Sequence, residues 1–190
     1  MRQLWKTFAL KRETFVLDVG GSEFNWKLLP VLPRILLLNV AEPAVKNANF
    51  TYVVADGRHV PFKDRGFDLV YSNSVLEHVG GPEDQRLFAM ECRRVGRRYY
   101  VQTPNRRFFI EPHLITPLLH WLPFRTQRIF LRNFTLWGLV TRPTKKECDD
   151  LLNDTRLLVE NELQNLFPDA EIWHERFLGM TKSLIAAKVH

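Results

Sequence analysis

Four apolar runs in the first half of the chain each end in glycine or in side chains that form hydrogen bonds. These residues are Asp18, Gly20, Gly21 and Ser22 at the first run, Asn39 at the second, Asp56 and Gly57 at the third, and Asn73 and Ser74 at the fourth. Carboxylates, amides and hydroxyls bind the polar groups of a small molecule, and glycine lets a ligand approach the backbone closely. Each residue alone is an ordinary loop residue, but the ordered set predicts a ligand site.

The apolar runs themselves predict the strands that position these residues. They cover residues 14–19, 34–40, 51–55, 67–72 and 98–103, and continuous runs such as RILLLNV are typical of strands buried on both faces of a parallel sheet. Residues 81–96 show helical spacing behind an acidic first turn and end at Gly96. We therefore predict an α/β fold with a Rossmann-like, doubly wound, mostly parallel sheet. Its ligand should lie at the carboxyl ends of the strands.

The second half of the chain adds an insert and a closing pair of strands. Residues 104–142 are aromatic, basic and interrupted by prolines, which predicts a helical lid inserted after the fifth strand. Residues 143–167 predict a helix, and AEIWHERF and TKSLIAAKV predict an antiparallel pair of strands. Since no repeat or flexible linker divides the chain, we interpret residues 1–190 as a single domain.

The glycine spacing argues against a dinucleotide cofactor. A dinucleotide fingerprint needs G-x-G-x-x-G at the start of a helix, because the pyrophosphate lies against backbone N–H groups there. Counted from Gly20, the third and sixth positions are Ser22 and Asn25. NAD is therefore not the predicted cofactor.

Three stretches resemble the class I S-adenosylmethionine (SAM)-dependent methyltransferases, in particular the methyltransferase type 11 branch. VLDVGG resembles the first motif of that family, and residues 55–79, ADGRHVPFKDRGFDLVYSNSVLEHV, resemble its third and fourth motifs. ECRRVGRRYYVQTPN resembles the helix and fifth strand that follow. The resemblance covers residues 14–105 and is most specific at 55–79. It implies SAM as the cofactor and methyl transfer as the activity.

The resemblance also implies which residues surround the methionine part of SAM. Gly20 and Gly21 would let the backbone approach it, because a side chain there would collide with it. Asp18 would orient that turn and reach the amino group. Asn73 and Ser74 would line the end where the sulfonium faces the methyl acceptor.

At the nucleoside end, the resemblance implies that position 39 holds the ribose hydroxyls and that Asp56, beside Gly57, binds the adenine amino group. The sequence departs from the family at two positions. Ser22 stands where the family usually has glycine, and Asn39 stands where it has Asp or Glu. A carboxylate accepts charge-assisted hydrogen bonds, which are about twice as strong as neutral ones. On this basis we expect Asn39→Asp to preserve or improve SAM affinity.

The candidates for catalysis are His78, Glu111 and His113. His78 follows the fourth strand and is the best candidate for a general base, with Glu77 as its rival, although a single histidine is more often structural. Glu111 and His113 lie in the insert and could close over the acceptor, or they could be helix-start residues beside Pro112. No third ligand is spaced to complete a metal site with them.

Arginines and aromatic residues alternate within the insert. They are Trp121, Phe124, Arg125, Arg128, Phe130, Arg132, Phe134 and Trp137. Three interpretations are open: a surface for anionic lipid headgroups or a lipid-linked glycan, with peripheral membrane contact; a nucleic-acid groove; and a lid whose aromatics are buried and whose arginines are solvated. We favour the lid, because a stripe at helical spacing is more often core than a binding surface.

Composition sets limits on the setting of the protein. Hydrophobic residues make up 45% and charged residues 25%, which are ordinary globular values, and the net charge of +6 weakly favours an anionic partner. Cys92 and Cys148 have neither metal-ligand spacing nor the density of a disulfide framework. The N-terminal residues are too charged for a signal peptide, and no apolar run is long enough to span a membrane. These features predict a cytoplasmic protein.

We therefore predict a methyltransferase that acts on a small-molecule, glycan or lipid-type acceptor. One alternative is a nucleic-acid methyltransferase, but the fourth run continues as SNSVLEHV and lacks the NPPY-type motif of base methylation. A second alternative is a non-catalytic binding protein that has kept the fold, which would explain Ser22 and Asn39. Neither the acceptor nor the oligomeric state can be read from the sequence.

Overall fold

The strands that the structure describes form one large sheet and one small sheet. A computed structural model describes residues 1–108, 110–111, 116–117, 141–153 and 155–190, together with positions 126, 127, 129, 131 and 133. The strands are β1 (Phe15–Val19), β2 (Arg34–Asn39), β3 (Thr51–Val54), β4 (Phe67–Asn73), β5 (Gly96–Pro104), β6 (Ile110–Glu111), β7 (Thr116–Pro117), β8 (Glu171–Phe177) and β9 (Met180–Lys188). The large sheet has the order β3-β2-β1-β4-β5-β9-β8, and β6 pairs with β7.

The directions of the strands agree with the prediction. β1 to β5 pair in parallel, β9 runs antiparallel to β5, and β8 runs antiparallel to β9. The strand order reverses beside β1, since β2 lies on one side of it and β4 on the other. Ligands of doubly wound sheets bind at this point. The predicted Rossmann-like sheet with an antiparallel C-terminal pair is confirmed.

Helices cover both faces of the sheet. Those with described bounds are α1 (Arg2–Thr7), α2 (Glu23–Trp26), a 3₁₀ turn (Leu76–His78), α3 (Pro82–Val95), α4 (Lys145–Asn153) and α5 (Glu160–Leu166). On one face, residues of α3 and α5 pack with the sheet in a core that includes Phe88, Leu163 and Phe167. On the other face, Leu4, Phe8 and Trp26 belong to a second core with Ile35, Leu37 and Leu69.

The prediction of one continuous helix over residues 143–167 is wrong for the residues in the middle of that range. The structure has two helices there, separated by residues 155–159, which we call the crossing segment. Its backbone pairs with other elements: the Arg156 N–H donates to the Glu77 carbonyl at 2.7 Å, and the Leu158 carbonyl accepts from Arg106 at 2.9 Å. These bonds replace the helical ones, so tertiary contacts override the helical pattern.

Two other differences concern the connections. Residues 40–50 and 55–66 contain turns rather than helices, so strand and helix do not alternate throughout. Of the predicted insert at 104–142, the structure describes β6, β7 and a few helical positions. The helical lid therefore stays a prediction.

Candidate functional site

A cavity of about 390 Å³ opens at the carboxyl ends of β1, β2 and β4 and beyond β3. Its wall is formed by Val19, Gly20, Leu38, Asn39, Val40, Ala55, Asp56, Gly57, Arg58, Ser74, Val75, His78, Val79 and Phe88. The volume is within the usual range of small-molecule sites, about 300–1,000 Å³. Six predicted site residues meet here: Gly20, Asn39, Asp56, Gly57, Ser74 and His78.

The turn after β1 is fixed by backbone geometry that requires glycine. The Gly20 N–H donates to the Leu38 carbonyl at 2.8 Å, and its φ of +75° is in the region that favours glycine. A Cβ on Gly20 would lie 2.5 Å from Val75 Cγ2. A Cβ on Gly21 would lie 2.0 Å from the Asp18 carboxylate. Contacts within the protein therefore already exclude side chains at both glycines.

Asp18 lies beneath this turn and not on the cavity wall. Its side chain is completely buried, and Oδ2 accepts a hydrogen bond from Trp26 Nε1 at 2.6 Å. The Oδ1 atom is also buried and has no hydrogen-bond partner among the described residues. Burial raises the pKa of Asp18 to about 7, although the Trp26 hydrogen bond opposes that shift. Trp26 was not predicted to take part in the site.

Gly21 and Ser22 border a neighbouring cavity of about 320 Å³ rather than the main one. Asn39 is the residue that lines both cavities. Its Nδ2 donates to the Gly21 carbonyl at 3.1 Å. Asn39 therefore joins the end of β2 to the turn after β1.

At the end of β3, the Asp56 carboxylate is paired with an arginine that sequence reasoning missed. Arg58 Nε lies 3.0 Å from both Asp56 oxygens, and Arg58 Nη1 lies 2.7 Å from Asp84 Oδ1 on α3. Hydrogen bonds from Arg58 lower the pKa of Asp56, so the carboxylate is ionised near neutral pH. The only sequence signal was the spacing Asp-x-Arg in ADGR.

The end of β4 carries Asn73, Ser74 and the 3₁₀ turn with His78. Ser74 has φ of +56°, an uncommon conformation for serine, and Asn73 Oδ1 is buried without a hydrogen-bond partner among the described residues. The His78 ring lines the cavity, and its Nδ1 lies 3.5 Å from Thr155 Oγ1 in the crossing segment. This end of the cavity thus combines a titratable ring with hydrogen-bonding groups.

The other catalytic candidates are placed differently. Glu77 is fully buried outside the cavity wall, where its Oε2 accepts from Thr103 Oγ1 at 2.9 Å. Glu111 belongs to β6, but its side chain lies outside the described residues, as does the whole of His113. In the part of the chain that the structure describes, no group of three or more His, Cys, Asp or Glu residues could hold a metal ion.

Comparison with known proteins shows a similarity to methyltransferases over part of the chain. Residues 18–98 match the family described as a methyltransferase domain. A protein of Mycolicibacterium smegmatis, named as a probable S-adenosylmethionine-dependent methyltransferase, is 34% identical over 124 residues, or 60% of this chain and 46% of that protein. This stretch is therefore similar to the domain of class I SAM-dependent methyltransferases of the type 11 branch. The chain spans about half the length of this curated relative.

Solved structures agree with the fold of this chain. A SAM-dependent methyltransferase of Aquifex aeolicus has a TM-score of 0.55 at 14% identity, covering 98% of this chain and 87% of that one. A SAM-dependent methyltransferase of Methanosarcina mazei has a TM-score of 0.52 at 17% identity, covering 95% and 94%. A Rhodobacter sphaeroides structure described as a Zn-dependent alcohol dehydrogenase scores 0.60 at 11% identity, covering 98% and 88%. Likeness at this level therefore defines the fold and not the chemistry.

The name of the curated relative gives SAM as its cofactor, and the cavity of this chain fits SAM. The main cavity is mostly apolar around a few polar groups, as expected for a nucleoside, and Asp56 supplies an ionised acceptor. Asn73 and Asp18 each hold a buried oxygen without a hydrogen-bond partner among the described residues at the end where the methionine part is predicted. In the described part of the chain, no helix is long and apolar enough to cross a membrane.

Proposed function

We propose that this chain transfers a methyl group from SAM to an acceptor bound beside the end of β4. The observation that carries the proposal is the meeting of four strand ends in one cavity that contains Gly20, Asn39, Asp56 and His78. When bound, SAM supplies a methyl group on a sulfonium centre that leaves as a neutral thioether. The remaining work of the protein is to hold the cofactor, align the acceptor and exclude water.

The cofactor is held from three sides in this proposal. Asp56 accepts the adenine amino group beside Gly57, Asn39 binds the ribose hydroxyls, and the turn at Gly20 approaches the methionine part. The ionised state of Asp56 supports the first contact, since a carboxylate accepts hydrogen bonds more strongly than a neutral group.

His78 is the proposed general base for an oxygen or nitrogen acceptor. Its ring lines the cavity, and the 3₁₀ turn that carries it is bonded to the crossing segment through Glu77 and Thr155. The fully buried Glu77 accepts from Thr103, which favours a structural role for it over a catalytic one. Glu111 and His113 remain proposed contributors from the insert.

The proposed acceptor is a small molecule, a glycan or a lipid-type compound. The aromatic and basic composition of the insert supports this range, and peripheral membrane contact through the insert belongs to the same proposal. The absence of an NPPY-type motif after β4 argues against a nucleic-acid acceptor.

Two measurements test the proposal. Calorimetry should show one molecule of S-adenosylhomocysteine (SAH), the demethylated product, bound per chain. Labelled SAM should then pass its methyl group to a component of metabolite, glycan or lipid pools, and not to RNA. No SAH binding by the folded protein would contradict the proposal, and SAH binding without transfer to any pool would favour the non-catalytic alternative.

His78→Ala should lower the rate of methyl transfer by roughly 10²–10⁴-fold, the usual contribution of a general base, with SAH affinity nearly unchanged. His174→Ala is the matched control, because His174 pairs with Glu160 at 3.0 Å and does not line the main cavity. An unchanged rate in His78→Ala would show that transfer needs no base at this position.

A further inference from the structure

Asn39 has a contact that a family-type carboxylate could not make. The residue ends β2 in register with Val54, and its carbonyl accepts from the Ala55 N–H at 2.9 Å, so its backbone is fixed. Its side chain then donates from Nδ2 to the Gly21 carbonyl at 3.1 Å. A carbonyl only accepts hydrogen bonds, so the group facing it must carry a proton. An amide satisfies this requirement, and an ionised carboxylate does not.

The turn that receives this bond is held from its other side by α2. The α2 residue Glu23 accepts from Tyr52 Oη on β3 at 2.5 Å and from Asn47 Nδ2 at 3.2 Å. Lys27 adds an ion pair to Glu23 at 2.7 Å. The turn between β1 and α2 is therefore fixed at its α2 end, and Asn39 supplies the side-chain hydrogen bond at its β2 side.

The same geometry removes the need for glycine at position 22. Ser22 has φ of −132° and ψ of 166°, an extended conformation that any residue can adopt, and it is the N-cap residue of α2. With the Gly21 carbonyl bonded to Asn39, the chain enters α2 directly from an extended residue. The two departures from the family, at positions 22 and 39, thus meet in a single turn.

We propose that Asn39 is a positioning residue that holds the Gly20–Ser22 turn in the shape the cofactor needs, and that Asn39 and Ser22 compensate each other. The Nδ2 atom binds the Gly21 carbonyl, and Oδ1 is left as the acceptor for a ribose hydroxyl. This inference rests on the proposed function, because the turn forms part of the cofactor site. The inference predicts that Asn39→Asp lowers the affinity for the cofactor. The charge of a carboxylate by itself predicts the opposite, that affinity is preserved or improved.

The first test is Asn39→Asp, measured by SAH calorimetry and thermal unfolding at pH 8 and pH 4.5. At pH 8 the carboxylate faces the Gly21 carbonyl, so SAH affinity should fall at least tenfold and the melting temperature should drop. The facing carbonyl should raise the pKa of the new carboxyl, so that at pH 4.5 a larger fraction of it is protonated and donates to that carbonyl, and the gap to the parent protein should narrow. Asn39→Ala is the control: it removes the donor without adding charge, so its loss should be smaller at pH 8 and similar at both pH values.

The second test combines Asn39→Asp with Ser22→Gly. Glycine at position 22 lets the Gly21–Ser22 peptide rotate its carbonyl away from the new carboxylate. The double variant should therefore recover part of the lost SAH affinity, whereas Ser22→Gly alone should gain none. If Asn39→Asp is too unstable to measure, the double variant and Asn39→Ala still test the proposal.

The inference would be overturned if the Asn39→Asp variant bound SAH at pH 8 as tightly as the parent protein, or more tightly. So would a melting-temperature loss that is the same at both pH values. Failure of the parent protein itself to bind SAH would count against the proposed function instead. In that case the pH-dependent change in melting temperature would still test the bond between Asn39 and Gly21.

Discussion

At the residue scale, the candidate site depends on buried polar groups as much as on the residues that line the cavity. Asp18 is completely buried under the glycine turn and accepts a hydrogen bond from Trp26, while Asp56 and Arg58 lie on the more exposed side of the site. The two carboxylates consequently differ in charge state near neutral pH: burial raises the pKa of Asp18, and Arg58 lowers that of Asp56. Burial at Asp18 and the guanidinium beside Asp56 therefore give the two carboxyl groups opposite pKa shifts.

Asp18 should make the stability of the protein depend on pH. The pKa of Asp18 is about 7 in the folded chain against an ordinary value of 3.8. Between pH 3.8 and pH 7, the folded state therefore holds a proton that the unfolded state has released. Stability from this group is therefore fully present below pH 3.8 and is lost as the pH rises through 7. Asp18→Asn keeps an acceptor for Trp26 and removes the titration.

Urea unfolding of the parent protein and of Asp18→Asn, from pH 4 to pH 8, measures how much the titration of Asp18 changes the free energy of unfolding. The free energy of unfolding of the parent protein should fall relative to that of Asp18→Asn, by up to about 4 kcal/mol for a shift of this size. Glu83→Gln, which changes an exposed carboxylate on α3, should run parallel to the parent across neutral pH. A constant difference between parent and Asp18→Asn would mean that Asp18 titrates normally.

At the element scale, the crossing segment ties together parts of the chain that are distant in sequence. Gln85 on α3 is buried, and its Nε2 donates to the Leu76 carbonyl at 3.0 Å and to the Arg156 carbonyl at 2.9 Å. Its Oε1 accepts from the Arg156 guanidinium. Since Leu76 begins the 3₁₀ turn that carries His78, this glutamine fixes the element next to the proposed acceptor site.

Gln85→Ala should lower stability by about 1–3 kcal/mol, because the buried Leu76 carbonyl and the partly buried Arg156 carbonyl lose their donor. It should also reduce methyl transfer more than SAH affinity, since the turn that carries His78 is loosened. Gln164→Ala is the matched control: Gln164 Nε2 donates to the Phe167 and Ala170 carbonyls, away from the cavity. Equal ratios of transfer to SAH affinity in the two variants would show that the crossing segment does not position His78.

At the scale of the whole molecule, we propose that cofactor binding and acceptor selection belong to different parts of the chain. The described residues of the main cavity lie between Val19 and Phe88, so they all precede the insert at 104–142. Acceptor alignment and water exclusion are the tasks that remain for the predicted lid.

Deleting residues 112–138 should therefore leave SAH affinity within about threefold of the parent while abolishing methyl transfer. Calorimetry and transfer from labelled SAM measure the two effects, and a melting curve shows whether the shortened chain folds. Loss of SAH binding in a folded deletion variant would show that the insert forms part of the cofactor site.

As a finer change, neutralising Arg125, Arg128 and Arg132 should leave vesicle binding unchanged if they form a solvated face, and should reduce it in a salt-dependent way if they contact lipid.

The sequence by itself determined the strands and the residues at their ends, because strands buried in a parallel sheet form continuous apolar runs and β1 to β5 follow those runs within about two residues. It also predicted that Gly20, Asn39, Asp56 and His78 lie close together, since the carboxyl ends of parallel strands meet at one edge, and all four line the main cavity. Only the tertiary structure decided which partner each of these side chains has. The bonds from Trp26 to Asp18, from Asn39 to Gly21 and from Gln85 to Arg156 join residues 8, 18 and 71 positions apart, and no local pattern encodes them. The predicted helix over residues 143–167 failed for the same reason. The helical pattern depends on neighbouring residues in the sequence, but backbone hydrogen bonds to Glu77 and Arg106, which are distant in sequence, keep the crossing segment out of a helix.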